Sequence, residues 1–207
     1  MSERTLQEYL DATASTAPAP GAGSVAAIAG AMGAALGEMV CGITLKSENS
    51  DGLADLEIAL SELGESRVRL MELSPLDEAA YLAFRGAQTL PRTTPTEKSA
   101  RRQAMQSALL AAAEVPLEIA ERAVQALTVM VGVARFGSIH TLADVATAAH
   151  LLSASILGAM ENVLVNIRLI KDEQEVARLS LRSDAVQHER SRSFDAVMAA
   201  ISLRQDQ

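Results

Sequence analysis

Few residue types in this chain can do chemistry. It has 3 histidines, 1 cysteine and no tryptophan, so reactive groups must come from carboxylates, amides and exposed backbone. The stretch Pro18-Ala19-Pro20-Gly21-Ala22-Gly23-Ser24 ends one helix and opens another, with Ser24 where an N-cap belongs. Such a turn leaves backbone N–H groups unpaired at the positive end of a helix. Gly21, Gly23 and Ser24 then either receive an anion or a ligand carbonyl, or simply form a capped turn.

A second set of polar groups lies in an apolar segment. From Asp144, residues Ser155, Asn162 and Asn166 follow at close to whole numbers of turns, about three, five and six, and so form one stripe. His150 falls off it. A buried polar stripe is satisfied by a neighbouring helix or by something in a crevice. Its span from Asp144 to Asn162 is about 27 Å, too long for one small ligand to touch both ends. Asp77, Tyr81 and Arg85 share another helical face at four-residue spacing.

These groups need long helices to position them. Thr5 to about Ala14 predicts a short amphipathic helix, and about Val25 to Leu45 a central one. In the central helix Ala29, Gly33 and Gly37, and likewise Ala26, Gly30 and Ala34, repeat every four residues. Two faces are thus almost bare, so another helix or a flat ligand can come close. A polar loop from Lys46 to Gly52 leads to a helix that Ser74-Pro75 either kinks or restarts. Thr94 caps and Pro95 opens the next, with a second kink expected at Pro116. Val115 to about Val133 continues as helix, Leu142 to about Ile170 forms another, and a charged outer helix ends the chain.

Composition agrees with an all-α fold in a single domain over residues 1–207. Apolar residues make up 49% and aromatics 2%, without the alternation that strands require. A net charge of −8 argues against nucleic acid or an anionic membrane as partner. The uncharged run from Ser24 to Gly37 is followed by Glu38 and reads as a buried helix, not a membrane span. The opening Met1-Ser2-Glu3-Arg4 leads into no apolar signal core, so the cytoplasm is the expected location. The histidines lack ligand spacing, so no metal site is expected.

In order along the chain, several short motifs resemble the cyclodeaminase/cyclohydrolase family. They are Pro20-Gly21-Ala22-Gly23-Ser24, Met39-Val40-Cys41-Gly42-Ile43-Thr44, Asp77-Glu78-Ala79-Ala80-Tyr81, Leu90-Pro91, Glu97-Lys98-Ser99-Ala100-Arg101, Val115-Pro116-Leu117 and Asn162-Val163-Leu164-Val165-Asn166. That family contains the C-terminal domain of formiminotransferase-cyclodeaminase and stand-alone methenyltetrahydrofolate cyclohydrolases. The resemblance implies a bundle of long, mostly antiparallel helices assembled as a homodimer. It also implies a reduced folate as ligand, with no cofactor beyond that tetrahydrofolate substrate. The chain departs where the family has Gly-Lys-Lys, keeping Lys46 and then Ser47-Glu48, and Ala22 replaces a glycine.

Hydrolysing methenyltetrahydrofolate, or closing its ring with loss of ammonia, needs a general acid/base and a partner for a cation. A carboxylate serves both. Asp144 at a helix start and Asp77 beside Tyr81 are the candidates, with His140 as an additional base. Gly21, Gly23, Ser24, Lys46, Tyr81, Arg101, Asn162 and Asn166 are the candidate substrate-binding residues, Arg101 with Lys98 for the folate's glutamate tail. The alternative is a non-catalytic or re-purposed helical dimer with an altered pocket, or an enzyme of the same scaffold acting on another amidine or pterin.

Overall fold

A computed structural model describes residues 4–46 and 52–205. In chain order it places helices α1 (Leu6–Thr13), α2 (Ala22–Leu45), α3 (Leu53–Gln88), α4 (Pro95–Phe136), α5 (Leu142–Ile167) and α6 (Glu173–Gln205), with a 3-10 turn at Ile139–Thr141 before α5. Among the described residues there is no strand. The part of the Lys46–Gly52 loop that carries Ser47 and Glu48 lies outside the described residues.

Helix starts follow local chemistry. Thr5 and Glu8 form a capping box at α1, and Thr94 and Glu97 form another at α4, with Pro95 just inside. Helix interiors follow packing. α2 packs on α3 and α5, while α4 packs on α3, α5 and α6. Bare positions on α2 allow the close approach expected of them: a Cβ on Gly33 would stand 2.9 Å from the carbonyl oxygen of Ala148, and one on Gly30 2.6 Å from Ser155 Oγ. Further along the same pair, Gly158 of α5 faces Ala26 of α2. Leu63 and Leu70 of α3 and Leu117 and Leu127 of α4 are fully buried, each contributing about 1.5–3 kcal/mol relative to exposure. α2 and the Ile139–Ile167 segment are long and apolar enough to cross a bilayer by length and composition, but half of the most apolar 18-residue stretch of each is buried within the chain.

The two internal prolines sit inside continuous helices, so Pro75 does not restart α3. Pro75 lies within α3 and Pro116 within α4, and both helices run on past them. A helical proline lacks the N–H that would bond the carbonyl four residues earlier. For Pro116 that carbonyl belongs to Ala112, and it is satisfied from another helix: Asn166 Nδ2 of α5 donates to it at 2.7 Å. α5 ends at Ile167, three residues short of the expected limit. α6 is the outer helix, joined to α4 by Arg182, which donates to Glu121 at 2.8 Å and to Glu114 at 2.7 Å.

Candidate functional site

The amino end of α2 already holds an anion, and that anion is a side chain of the protein. Gly21 is the N-cap and supplies no side-chain bond; Ser24 stands inside the first turn, correcting its expected role as the cap. The Asp77 carboxylate of α3 accepts the Ser24 backbone N–H. It lies so close to Gly23 that a Cβ there would fall on the carboxylate itself. Gly23 is therefore required by Asp77. Burial pushes the Asp77 carboxyl above its ordinary value; the Ser24 N–H opposes this, and the neighbouring Glu78 charge adds to it. A carboxyl so placed can take or give a proton nearer neutral pH than a free one.

The Ser24 hydroxyl works on the other side. It donates to Glu78 Oε1 at 3.3 Å and stands 2.8 Å from both Tyr9 Oη and Ser74 Oγ. Since its one proton goes to Glu78, Tyr9 and Ser74 donate to it. Arg4 Nη1 reaches both oxygens of Glu78 at 3.1 Å. Ser24 thus ties the adjacent carboxylates Asp77 and Glu78 together, one through its backbone and one through its hydroxyl. Sequence reasoning gave no site role to Arg4, Tyr9, Ser74 or Glu78. The four-residue step from Ser74 to Glu78, one turn along the helix that carries Asp77, was the available signal.

Other candidates share this end of the bundle. Gly158 is level with Ala26, so Asn162, one turn on, is level with Ala22 at the start of α2. Its Nδ2 donates to the Gly158 carbonyl at 2.8 Å, while Asn166 is committed to Ala112 and to the Asn162 carbonyl. Tyr81 lies one turn beyond Asp77 and is 40% exposed. Arg101 donates twice to the Gln88 carbonyl at the end of α3, at 3.2 and 3.1 Å, about 16 Å along the helix from Asp77. At Gly21 an added Cβ would meet nothing within 4 Å, so this corner is open.

Asp144, His140 and Lys46 do not join them. Thr44 accepts the Ser138 N–H at 2.9 Å, which fixes the turn carrying His140 to the carboxyl end of α2. That end is about 30 Å from Ser24. Lys46 is the C-cap there, and Asp144 lies in the first turn of α5. The candidate catalytic residues Asp77, Asp144 and His140 are therefore split between two ends of one chain, because rigid helices separate them. Midway, Ser155 Oγ is buried without a partner against Gly30, so the stripe is no continuous crevice. His150 points away, its ring 5.1 Å from Phe194 of α6. Among the described residues, no three of His, Cys, Asp and Glu are grouped to hold a metal ion.

Two cavities open between the helices, the first beside the Ser24 network. One of about 750 Å³ runs between α1, α2 and α3, with Leu6, Met32 and Met71 on its walls and Tyr9, Ser74 and Glu78 at one side. The other, of about 710 Å³, lies between α4 and α6 among paired glutamates and arginines.

Comparison with known proteins agrees with this architecture. The family model described as formiminotransferase-cyclodeaminase matches residues 5–185. A methenyltetrahydrofolate cyclohydrolase of Methylorubrum extorquens is 37% identical over 169 residues, 81% of this chain and 81% of that protein. A formimidoyltransferase-cyclodeaminase of Rattus norvegicus is 29% identical over 205 residues, but the chain spans only 38% of that protein's length. The crystal structure of formiminotetrahydrofolate cyclodeaminase from Thermotoga maritima superposes with a TM-score of 0.86 at 26% identity, covering 96% of both chains. A chain matched over this much of its length, with Asp77 set on the glycine turn of α2, belongs to the formiminotransferase-cyclodeaminase family.

Proposed function

We propose that this protein is a folate one-carbon enzyme that hydrolyses 5,10-methenyltetrahydrofolate to formyltetrahydrofolate. The observation that carries the reading is the Asp77 carboxyl, half-buried on the Ser24 N–H with its protonation shifted toward neutral pH. The reaction adds water to a cationic amidine carbon, breaks one ring C–N bond and releases one proton. Asp77 takes the proton of the attacking water and returns one to the departing ring nitrogen, and its charge offsets the substrate cation. The heterocycle rests over the open corner at Gly21, with Tyr81 and Asn162 beside it, and the glutamate tail runs along α3 toward Arg101 and Lys98. Formiminotetrahydrofolate deamination, which closes the same ring with loss of ammonia, is the second reading. It is supported by the 0.86 TM-score to a cyclodeaminase.

In this proposal the enzyme is a single-domain cytoplasmic homodimer of mostly antiparallel helices and needs no cofactor beyond the folate. The paired contacts Gly30 with Ser155 and Ala26 with Gly158 support the antiparallel arrangement. The test is loss of methenyltetrahydrofolate absorbance on adding the full-length protein. Turnover well above buffer is expected. Buffer-level rates with no folate binding would reject the reading in favour of a re-purposed scaffold.

A further inference from the structure

α1 buries none of its residues, and Leu6 and Leu10 stand exposed along it. A helix that adds nothing to the core is still tied to the candidate site. Tyr9 Oη lies 2.8 Å from Ser24 Oγ, and Arg4, just before the helix, pairs with Glu78 of α3. Arg4 uses a single nitrogen, 3.1 Å from both Glu78 oxygens. The Glu78 side chain is 14% exposed against 44% for Arg4, so the acid lies inside and the base covers it. Behind Glu78 stands the Ser24 hydroxyl at 3.3 Å, and the Ser24 backbone N–H bonds Asp77. Contacts therefore lead without a gap from the amino-terminal segment to the carboxyl group that moves the proton.

We infer that Glu78 is a positioning residue for the hydrolysis: it fixes Ser24 against Asp77 and sets a second negative charge beside the reacting carboxylate, with Arg4 as the counter-charge that limits its effect. This rests on the folate-enzyme reading above and assigns Arg4 and Glu78 a part in the chemistry that they play only through Asp77.

The surroundings of Asp77 leave that part to this pair. α2 carries no charge from Ala22 to Gly37. Arg69 bonds Glu118 and Arg101 bonds Gln88, so the antiparallel α4 brings Leu110–Ala112 level with Asp77, and the run from Gln103 to Ala113 is uncharged. α5 brings the neutral Asn162, with Glu161 on its exposed flank. From α1 come Arg4 and Tyr9, Glu8 being committed to the Thr5 cap. α3 itself adds Tyr81 one turn on. Among the described residues Glu78 is the charged group that acts on Asp77, adding to burial and opposed by the Ser24 N–H. A like charge beside a carboxylate makes it hold a proton more tightly. That suits a group which takes a proton from water and then returns one to a ring nitrogen.

The two charges predict opposite effects. Accepting a proton from water needs ionised Asp77, so kcat/KM falls as pH drops through its titration. Glu78→Gln keeps an acceptor for Ser24 but removes the charge, and should move this acid limb down by about half a pH unit. Arg4→Gln leaves the Glu78 charge unopposed and should move the limb up. Arg4→Lys, which keeps one charged nitrogen, should restore the wild-type limb.

The experiment is the kcat/KM profile for methenyltetrahydrofolate from about pH 5 to pH 8, with melting curves for each full-length variant. A merely structural role would lower the rate without moving the limb. Limbs that stay in place, or that move in the same direction in folded Glu78→Gln and Arg4→Gln, would overturn the inference. Should Glu78→Gln fail to fold, Arg4→Gln against Arg4→Lys decides it. A second measurement needs no substrate: NMR titration of the Asp77 side-chain carboxyl carbon, identified by its loss in Asp77→Asn. An Asp77 titration unmoved by either variant in an active enzyme overturns this inference and leaves the folate reading standing. Opposite displacements in a protein without turnover support control of Asp77 by Arg4 and Glu78 and reject the folate reading instead.

Discussion

At the scale of single residues the structure turns on how Asp77 is held. Its glycine contact and its bond to Ser24 could not be read from the local sequence, because they join α3 to the start of α2 across more than fifty residues. What could be read was a helix terminus with bare N–H groups; what could not was that the chain fills it with its own carboxylate. The raised protonation has a consequence for stability. Between the ordinary value of 3.8 and the higher value in the fold, the folded protein holds a proton on Asp77 that the unfolded chain has lost. Stability therefore falls as pH rises through that window, the reverse of a salt-bridged aspartate. Asp77→Asn should flatten this dependence and leave the melting temperature at pH 7 equal to wild type or higher. A fall of more than about 5 °C would show that the charge stabilises the fold.

At the scale of helices, spacing was a good guide to contact. The four-residue glycine and alanine repeats of α2 marked the faces that meet α5, and Thr94-Pro95 marked the start of α4 correctly. At Pro116 a local loss is answered from elsewhere. Asn166 of α5 bonds the very carbonyl that Pro116 leaves without a donor. This is the interhelical alternative that the polar stripe left open. A double-mutant cycle checks it: Asn166→Leu should cost about 1 kcal/mol in urea unfolding, since it strands a half-buried acceptor. In a Pro116→Ala background, where the helix supplies its own donor, the loss should shrink to about half or less. Equal losses in both backgrounds would break the link between the two residues.

At the scale of the molecule, composition and motif order identified an all-helical family member, while the division of its candidate site residues between two ends appeared only with the rods in place. An acidic chain with so few aromatics builds its core from alanine, leucine and valine, which pack as helices but leave surplus apolar surface on α2. The exposed Val25, Met32 and Met39 of α2 are surface that the proposed homodimer would cover. On that proposal Met39→Glu, at one of these exposed positions and remote from Asp77, should yield a folded monomer by light scattering at micromolar concentration, with turnover lost in parallel. A monomer that kept full turnover would separate assembly from activity.

The most direct measurement compares methenyltetrahydrofolate hydrolysis by wild type and Asp77→Asn at pH 7, with melting curves to show that both are folded. A folded variant whose turnover falls by about a hundredfold or more is the expected result. A folded variant hydrolysing the substrate at the wild-type rate would contradict the assignment of Asp77 as the acid/base.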